Sequence, residues 1–240
     1  MKRPLYLANQ AAPQDGFTIV ELLIATVVFS MVLLVITYGV LSFTHSYFFG
    51  INSSNTQTTA RTIMNGVSQA IEFSGYPVAV STTDSGGISY FCAGGNEYVY
   101  IAGLLYKGSP SAANPGLYVT TDPDGGNSCP DPGTTSLNYT TGKELLGSNM
   151  RVTYLTVTSP SAQLYAIDLR IALGTADLLC NNSLGGGRGG CAQGAPQYSA
   201  TTNVTGTDVQ CNNDTGSQYC AVAGLDTTVG LRVSPSAMGS

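Results

Sequence analysis

The distribution of apolar residues divides the chain into two parts. Between Leu22 and Ala60 there is no Asp, Glu, Lys or Arg, and the stretch from Leu22 to Phe43 is almost wholly apolar. As a helix, that stretch would extend roughly 33 Å, close to the thickness of the hydrocarbon core of a bilayer. The pattern therefore predicts one membrane-spanning helix, over about residues 19–43.

Beyond this run, apolar residues recur at spacings of three and four, which is typical of a helix with one buried face. They are Ile51, Ala60, Ile63, Met64, Val67, Ala70, Ile71 and Phe73. No Pro occurs between Pro13 and Pro77. The sequence predicts a long helix over residues 17–75, stopped by Gly75 and Pro77, with the weakly helical stretch 50–55 as a candidate break.

After residue 77 the hydrophobic period changes to two, which indicates β-strands. Strands are predicted at residues 97–101, 151–157 and 165–173, with a hairpin turn at 159–162 and a last strand through Val229, Leu231 and Val233. The strand at 165–173 is apolar at every odd position, so that face should cover the helix while its charged face points outward. The fold class predicted is α+β, with a globular β domain over residues 76–240.

Composition and charge narrow the class of protein. Only 10% of the 240 residues are charged, while Gly (29) and Pro (11) are plentiful. This suits a loop-rich extracellular β domain better than a helical cytosolic enzyme. The net charge is −5, and no basic stretch follows Lys2 and Arg3, so a basic nucleic-acid-binding face is not supported.

Residues 16–25 read Gly-Phe-Thr-Ile-Val-Glu-Leu-Leu-Ile-Ala. This segment resembles the cleavage and methylation motif of type IV prepilins and of type II secretion pseudopilins. The resemblance implies that prepilin peptidase removes a leader, residues 1–16, by cutting after Gly16 and then methylates Phe17. Asp15 departs from the basic residue that family leaders often carry there, but Lys2 and Arg3 still supply positive-inside orientation. The alternative is a permanent N-terminal anchor with a short cytoplasmic tail.

Glu21 is the fifth residue after the predicted cleavage point. A carboxylate in a membrane segment costs a few kcal/mol, so it needs a partner or a path to water. The resemblance implies that its partner is the Phe17 amine of a neighbouring subunit, which would fix the axial register of the fibre. The other interpretation is an interfacial Glu that reaches water. By resemblance, the partners are other pilin subunits bound through the N-terminal helix, prepilin peptidase, the membrane and an assembly platform. The resemblance also implies an antiparallel sheet laid on the C-terminal half of the helix.

Six cysteines lie outside the apolar run, and an even number in an exported domain indicates disulfides. They are Cys92, Cys129, Cys180, Cys191, Cys211 and Cys220. Sequence alone leaves 15 pairings open, of which we favour the local set 92–129, 180–191 and 211–220. No Cys-x-x-Cys occurs, so a zinc site is not predicted. The glycine run at 185–190 lacks the ending of a phosphate loop and is interpreted as a loop.

The sequence gives little support for a catalytic site. The single histidine, His45, follows the apolar run, far from any candidate nucleophile, and residues 122–127 match a polar turn better than a calcium loop. We expect a structural subunit without cofactor or metal: a minor pilin of a type IV pilus, in the cytoplasmic membrane with its globular domain outside and extracellular after assembly. A type II secretion pseudopilin is the close alternative, and an anchored surface adhesin the more distant one.

Overall fold

The structure is a computed structural model, which describes residues 16–75, 78–83, 87–109, 116–121, 129, 142–161, 163–181, 203–212 and 216–232. The chain divides into two compact units, residues 1–44 and 45–240. One helix, α1 (Ile19–Glu72), contributes residues to both units.

The described part of the first unit is the N-terminal part of α1. All side chains from residue 16 to residue 43 are exposed, although most of them are apolar. By length and composition this helix could cross a membrane. Its hydroxyl groups bond to carbonyl oxygens one turn earlier, as from Ser30 to Thr26 (2.7 Å) and from Thr37 to Leu33 (2.8 Å). The few polar groups of the apolar surface are therefore satisfied within the helix itself.

Among the described residues, the second unit contains the remainder of α1 and ten strands. The strands are β1 (Ala79–Thr83), β2 (Ile88–Ala93), β3 (Asn96–Ile101), β4 (Leu117–Thr121), β5 (Lys143–Glu144), β6 (Met150–Ser161), β7 (Leu164–Leu173), β8 (Leu179–Asn181), β9 (Val209–Cys211) and β10 (Ala221–Gly230). Short 3-10 helices occupy Ala176–Leu178 and Ser217–Tyr219. The three sheets are antiparallel, with orders β1-β2-β3-β4-β5, β10-β7-β6 and β8-β9.

The core of the second unit lies between α1 and the two larger sheets. The helix contributes a buried stripe of Ala60, Ile63, Met64, Val67 and Ile71, which pack with apolar residues of the strands. This confirms the predicted helical face and the α+β class. The prediction that Ile51 and Phe73 belong to the buried face is wrong, because these residues are 46% and 62% exposed. Phe73 follows the last residue of α1, and the Arg232 guanidinium lies 5.6 Å from the centre of its ring.

The expected break at residues 50–55 is also wrong, because these residues are helical. Contacts within the second unit account for this. The Asn52 side chain donates a hydrogen bond to the Gln218 carbonyl (2.8 Å), and the Thr56 hydroxyl donates to the Asn52 carbonyl (2.8 Å). Tertiary bonding at Asn52 and burial of Thr56 thus outweigh a weak local propensity.

The predicted alternation of buried and exposed residues in the strands is confirmed, but some of the predicted strand ends are wrong. The odd positions of β7 from Tyr165 to Ile171 are buried, as predicted, while Asp168 and Arg170 between them form a half-exposed ion pair (2.9 Å). The predicted turn at 159–162 is wrong because β6 continues to Ser161, where it pairs with Leu164. The last strand ends at Gly230, so Leu231 lies beyond it, and Val233 lies outside the described residues.

The charged side chains of Arg151 and Glu144 each bond to the backbone of the second unit. Arg151, 1% exposed, donates to the Gly103 carbonyl (3.1 Å) and the Gly174 carbonyl (2.9 Å), and so joins segments far apart in sequence. One carboxylate oxygen of Glu144 accepts hydrogen bonds from the backbone N–H groups of Leu117, Leu145 and Leu146, at 2.8–3.0 Å. The sequence pattern predicted neither role, because the backbone partners are set by the tertiary fold.

Candidate processing and assembly site

The N-terminus of α1 is closed by a reciprocal pair of side chains. The Thr18 backbone N–H and its hydroxyl each donate to Oε2 of Glu21, both at 2.9 Å. In return, the Glu21 N–H donates to the Thr18 hydroxyl oxygen at 3.3 Å. With Thr18 before the first helical residue, Ile19, and Glu21 at the third, this is a capping box. It satisfies two of the N–H groups that a helix start leaves without partners.

Gly16 and Phe17 lie immediately before this cap. The Phe17 side chain is 89% exposed. A Cβ atom on Gly16 would meet no heavy atom within 4 Å, so local packing does not account for the glycine. A protease that binds the chain in an extended form would account for it, since a residue without Cβ leaves room around the scissile bond. The structure thus places the predicted scissile bond two residues before the first residue of the helix.

This arrangement brings a carboxylate to the start of an apolar helix. The Glu21 carboxylate lies one helical turn from the position where cleavage would create a new amine on Phe17. Negative charge in the first turn is favoured by the helix dipole. From Leu22 onward, the described side chains of the first unit offer no second charge of either sign. Glu21 is therefore the single charge of that surface available for pairing with another chain.

The capping role of Thr18 was not predicted from the sequence. The signal was present as a Thr-x-x-Glu spacing directly before an apolar run, which is the sequence signature of a capping box. The resemblance implied an intermolecular partner for Glu21, whereas the structure shows that its side chain also caps its own helix.

The predicted cross-links lie in the second unit. Disulfides join Cys92 to Cys129 and Cys211 to Cys220, and these are two of the three favoured pairings. Cys180 is also disulfide-bonded. Its predicted partner, Cys191, lies outside the described residues, so that pairing stays a prediction.

The remaining candidates are not brought together. His45 is exposed on α1. The possible calcium loop at residues 122–127 and the glycine run at 185–190 both lie outside the described residues. Among the residues that the structure describes, no three His, Cys, Asp or Glu side chains are grouped so that they could hold a metal ion.

Comparison with known proteins identifies the N-terminal segment. A family model described as the prokaryotic N-terminal methylation motif matches residues 12–37, which include Gly16, Phe17 and Glu21. The chain therefore carries a prepilin-type N-terminal motif, and this supports a type IV pilin or pseudopilin. No curated protein and no solved structure matches the chain.

Proposed function

We propose that this chain is a structural, non-enzymatic subunit of a type IV pilus, specifically a minor pilin. The methylation motif at the start of an exposed apolar helix is the observation that carries the proposal. The precursor is held in the cytoplasmic membrane by α1, with the cross-linked unit outside. Prepilin peptidase removes residues 1–16, and the mature subunit moves from the bilayer into the fibre.

Assembly is proposed to use the charge of Glu21. After cleavage, the Phe17 amine carries a positive charge at the end of an apolar helix. Opposite charges attract strongly in a medium of low dielectric constant, so pairing with Glu21 of a neighbouring subunit stabilises one axial register. In the separate chain, Thr18 supplies two hydrogen bonds to the same carboxylate. The capping box thus keeps the carboxylate satisfied until a second subunit provides an amine.

The choice of a minor subunit rests on the second unit. This unit has all six cysteines, most of the chain's 29 glycines and, among its described residues, ten strands. Such a large cross-linked domain suits a specialised subunit better than a small major one. A type II secretion pseudopilin would carry the same N-terminal motif. Deleting the gene separates the two: loss of surface fibres supports the pilus role, and loss of secreted proteins with fibres intact supports the pseudopilin.

Processing provides the direct test. In cells with active prepilin peptidase, the mature protein should begin at N-methyl-Phe17, as measured by intact mass and N-terminal peptide analysis of the membrane fraction. Removal of Lys2, Arg3 and Asp15 with the leader takes the net charge from −5 to −6. Cells without the peptidase are the control and should retain the leader. A chain that keeps residues 1–16 in both strains would contradict the proposal and favour the anchored adhesin.

A further inference from the structure

A cleft of about 430 Å³ lies on the second unit. This volume falls within the range of roughly 300–1,000 Å³ that is usual for small-molecule sites. Four separate segments form its walls: α1, the turn before β6, the segment around the 3-10 helix Ala176–Leu178 and the 3-10 helix Ser217–Tyr219. The side chains used below are Asn52, Asn55, Ser148, Asn149, Thr175 and Tyr219.

The described walls of the cleft combine apolar surface from Leu173 and Leu178 with uncharged polar side chains. Among the lining residues that the structure describes, there is no Asp, Glu, Lys, Arg or His. Within the described part of the chain, the side chains of Asn55, Ser148, Asn149 and Thr175 make no hydrogen bond and are exposed. An Asn amide offers two donors and an acceptor, and a hydroxyl offers both functions. A ligand dense in neutral hydroxyl groups matches this set, whereas an ionic ligand would find no opposite charge.

Tyr219 supplies a flat aromatic surface at the same cleft. Its ring is 52% exposed and lies 6.1 Å, centre to centre, from the ring of Phe48. The face of an aromatic ring is negative, and it attracts the slightly positive C–H groups of an apolar surface laid on it. A sugar ring presents such a C–H face together with hydroxyl groups at its edge. Tyr219 and the neighbouring amides therefore complement the two kinds of surface that one sugar ring combines.

The wall that carries Tyr219 is held in place before any ligand binds. Both neighbours of Tyr219 in the chain are held in place. Cys220 forms a disulfide with Cys211, and the Gln218 carbonyl accepts a hydrogen bond from the Asn52 side chain at 2.8 Å. Gly174 approaches so closely that a Cβ atom there would lie 3.0 Å from the Tyr219 carbonyl oxygen. A wall fixed in this way loses little further freedom on binding, which favours affinity.

The backbone that carries Asn149 is fixed as well. Asn149 adopts a positive φ of 63°, the only such value among the described non-glycine residues. Its N–H donates to the Tyr106 carbonyl (2.8 Å), and its carbonyl accepts from the Gly174 N–H (3.0 Å). These two bonds hold the backbone in a conformation that costs free energy and that presents the amide at the cleft.

We propose that this cleft binds a neutral carbohydrate, with one sugar ring stacked on Tyr219 and its hydroxyl groups bonded to the amides of Asn55 and Asn149. The site goes beyond the role of a fibre subunit, and it does not depend on processing or assembly. It would let the second unit attach to a glycan on another surface.

The test uses the full chain in a zwitterionic detergent without a sugar headgroup. Glucose, galactose, mannose, N-acetylglucosamine, lactose and cellobiose are the probes, with glucuronate as a charged sugar and trialanine as a peptide. Saturation-transfer NMR detects binding, and a titration gives Kd, expected on the order of millimolar for so small a ligand. At least one neutral sugar should bind, and glucuronate should bind no more tightly than glucose.

Matched variants locate the site. Asn55→Ala and Tyr219→Ala should each raise Kd about fivefold or more, while Tyr219→Phe should change it less than about twofold because the ring face remains. Gln57→Ala is the control: it removes an exposed amide from the same helix, outside the cleft, and should leave Kd unchanged. Thermal unfolding of each variant verifies the fold, and Asn55→Ala decides the matter if Tyr219→Ala is destabilised.

Four results would each overturn the proposal. They are the absence of binding by every neutral sugar, a Kd that Asn55→Ala and Tyr219→Ala leave unchanged, tighter binding of glucuronate than of glucose, and binding of trialanine alone. The last would indicate a peptide site in place of a carbohydrate site.

Discussion

Thr18 and Glu21 are joined by three hydrogen bonds at the start of the apolar helix. The Glu21 carboxylate accepts from both donors of Thr18, and the Thr18 hydroxyl oxygen accepts from the Glu21 N–H. Glu21 therefore has two separable properties, its capacity to accept hydrogen bonds and its charge. The first is used within the chain. The second is the property that the proposed pairing with a Phe17 amine requires.

Glu21→Gln separates these two properties. Gln also closes a capping box, so the helix start should be kept while the charge is lost. We expect Glu21→Gln to be inserted in the membrane and cleaved after Gly16, but to be at least about tenfold depleted from sheared fibres. The comparison measures the protein in membrane and fibre fractions. Removing the charge also lowers the cost of residing in lipid, which retains the subunit there.

The control for this variant is Thr18→Val, which removes the hydroxyl but keeps the charge. It should weaken the cap by roughly 1 kcal/mol and lower incorporation far less than Glu21→Gln does. Equal incorporation of Glu21→Gln and the parent protein would refute the charge-pairing mechanism. Gly16→Val should fail for a separate reason, since an uncut chain has no Phe17 amine.

The sequence could predict the helix and the strands because their periodicity is local. The stripe from Ala60 to Ile71 and the alternation in β7 follow from which positions are apolar. The ends of these elements were harder to predict from the sequence. Residues 50–55 are helical because Asn52 bonds to a segment more than 160 positions away, and no local propensity reports such a contact.

The site was predictable to the extent that it is a contiguous motif. Gly16, Phe17 and Glu21 fall within a few residues, so no tertiary information was needed to group them. The proposed sugar-binding cleft was not predictable, because Asn55, Asn149 and Tyr219 come from three distant segments. The buried role of Arg151 was hidden for the same reason, since its partners are backbone carbonyls.

The two described disulfides should contribute unequally to stability. Cys92–Cys129 closes a loop of 37 residues and Cys211–Cys220 one of nine. If cross-links act mainly by restricting the unfolded chain, the longer loop contributes about 1 kcal/mol more. Replacing each pair by serines and measuring urea unfolding of the detergent-solubilised chain gives the two free energies. A larger loss from the shorter loop would show that native contacts, and not loop entropy, dominate.

Glu144 should make stability depend on pH. Burial raises its pKa above the usual value of 4.5, and hydrogen bonds from Leu146, Leu117 and Leu145 offset only part of that rise. The folded state therefore binds the proton more tightly than the unfolded state. The contribution of Glu144 to the stability of the folded state is fully present below pH 4.5 and is lost as pH rises through the raised pKa.

Glu144→Gln removes this titration and serves as the test. The free energy of unfolding of the variant, relative to the parent, should increase between about pH 4 and pH 7. Taking the difference cancels the titration of the other carboxylates. A difference that is constant over this range would mean that Glu144 does not titrate differently in the two states.

Arg151 should be the most costly single charge to remove from the second unit. Its guanidinium donates to the carbonyls of Gly103 and Gly174, and both would lose a buried donor in Arg151→Met. We expect a loss of about 2–5 kcal/mol in the free energy of unfolding, because each carbonyl left without a partner keeps its desolvation cost. Arg151→Lys should recover only part of this loss, since a single ammonium lacks the fork that reaches both oxygens.

Arg61→Met is the matched control, because Arg61 is exposed on α1 and its replacement should change stability by less than about 0.5 kcal/mol. Urea unfolding of the three variants and the parent gives the comparison. Similar stabilities for Arg151→Met and Arg61→Met would show that the two carbonyls find other donors. A full recovery in Arg151→Lys would show that charge alone, without the bidentate geometry, holds the two segments together.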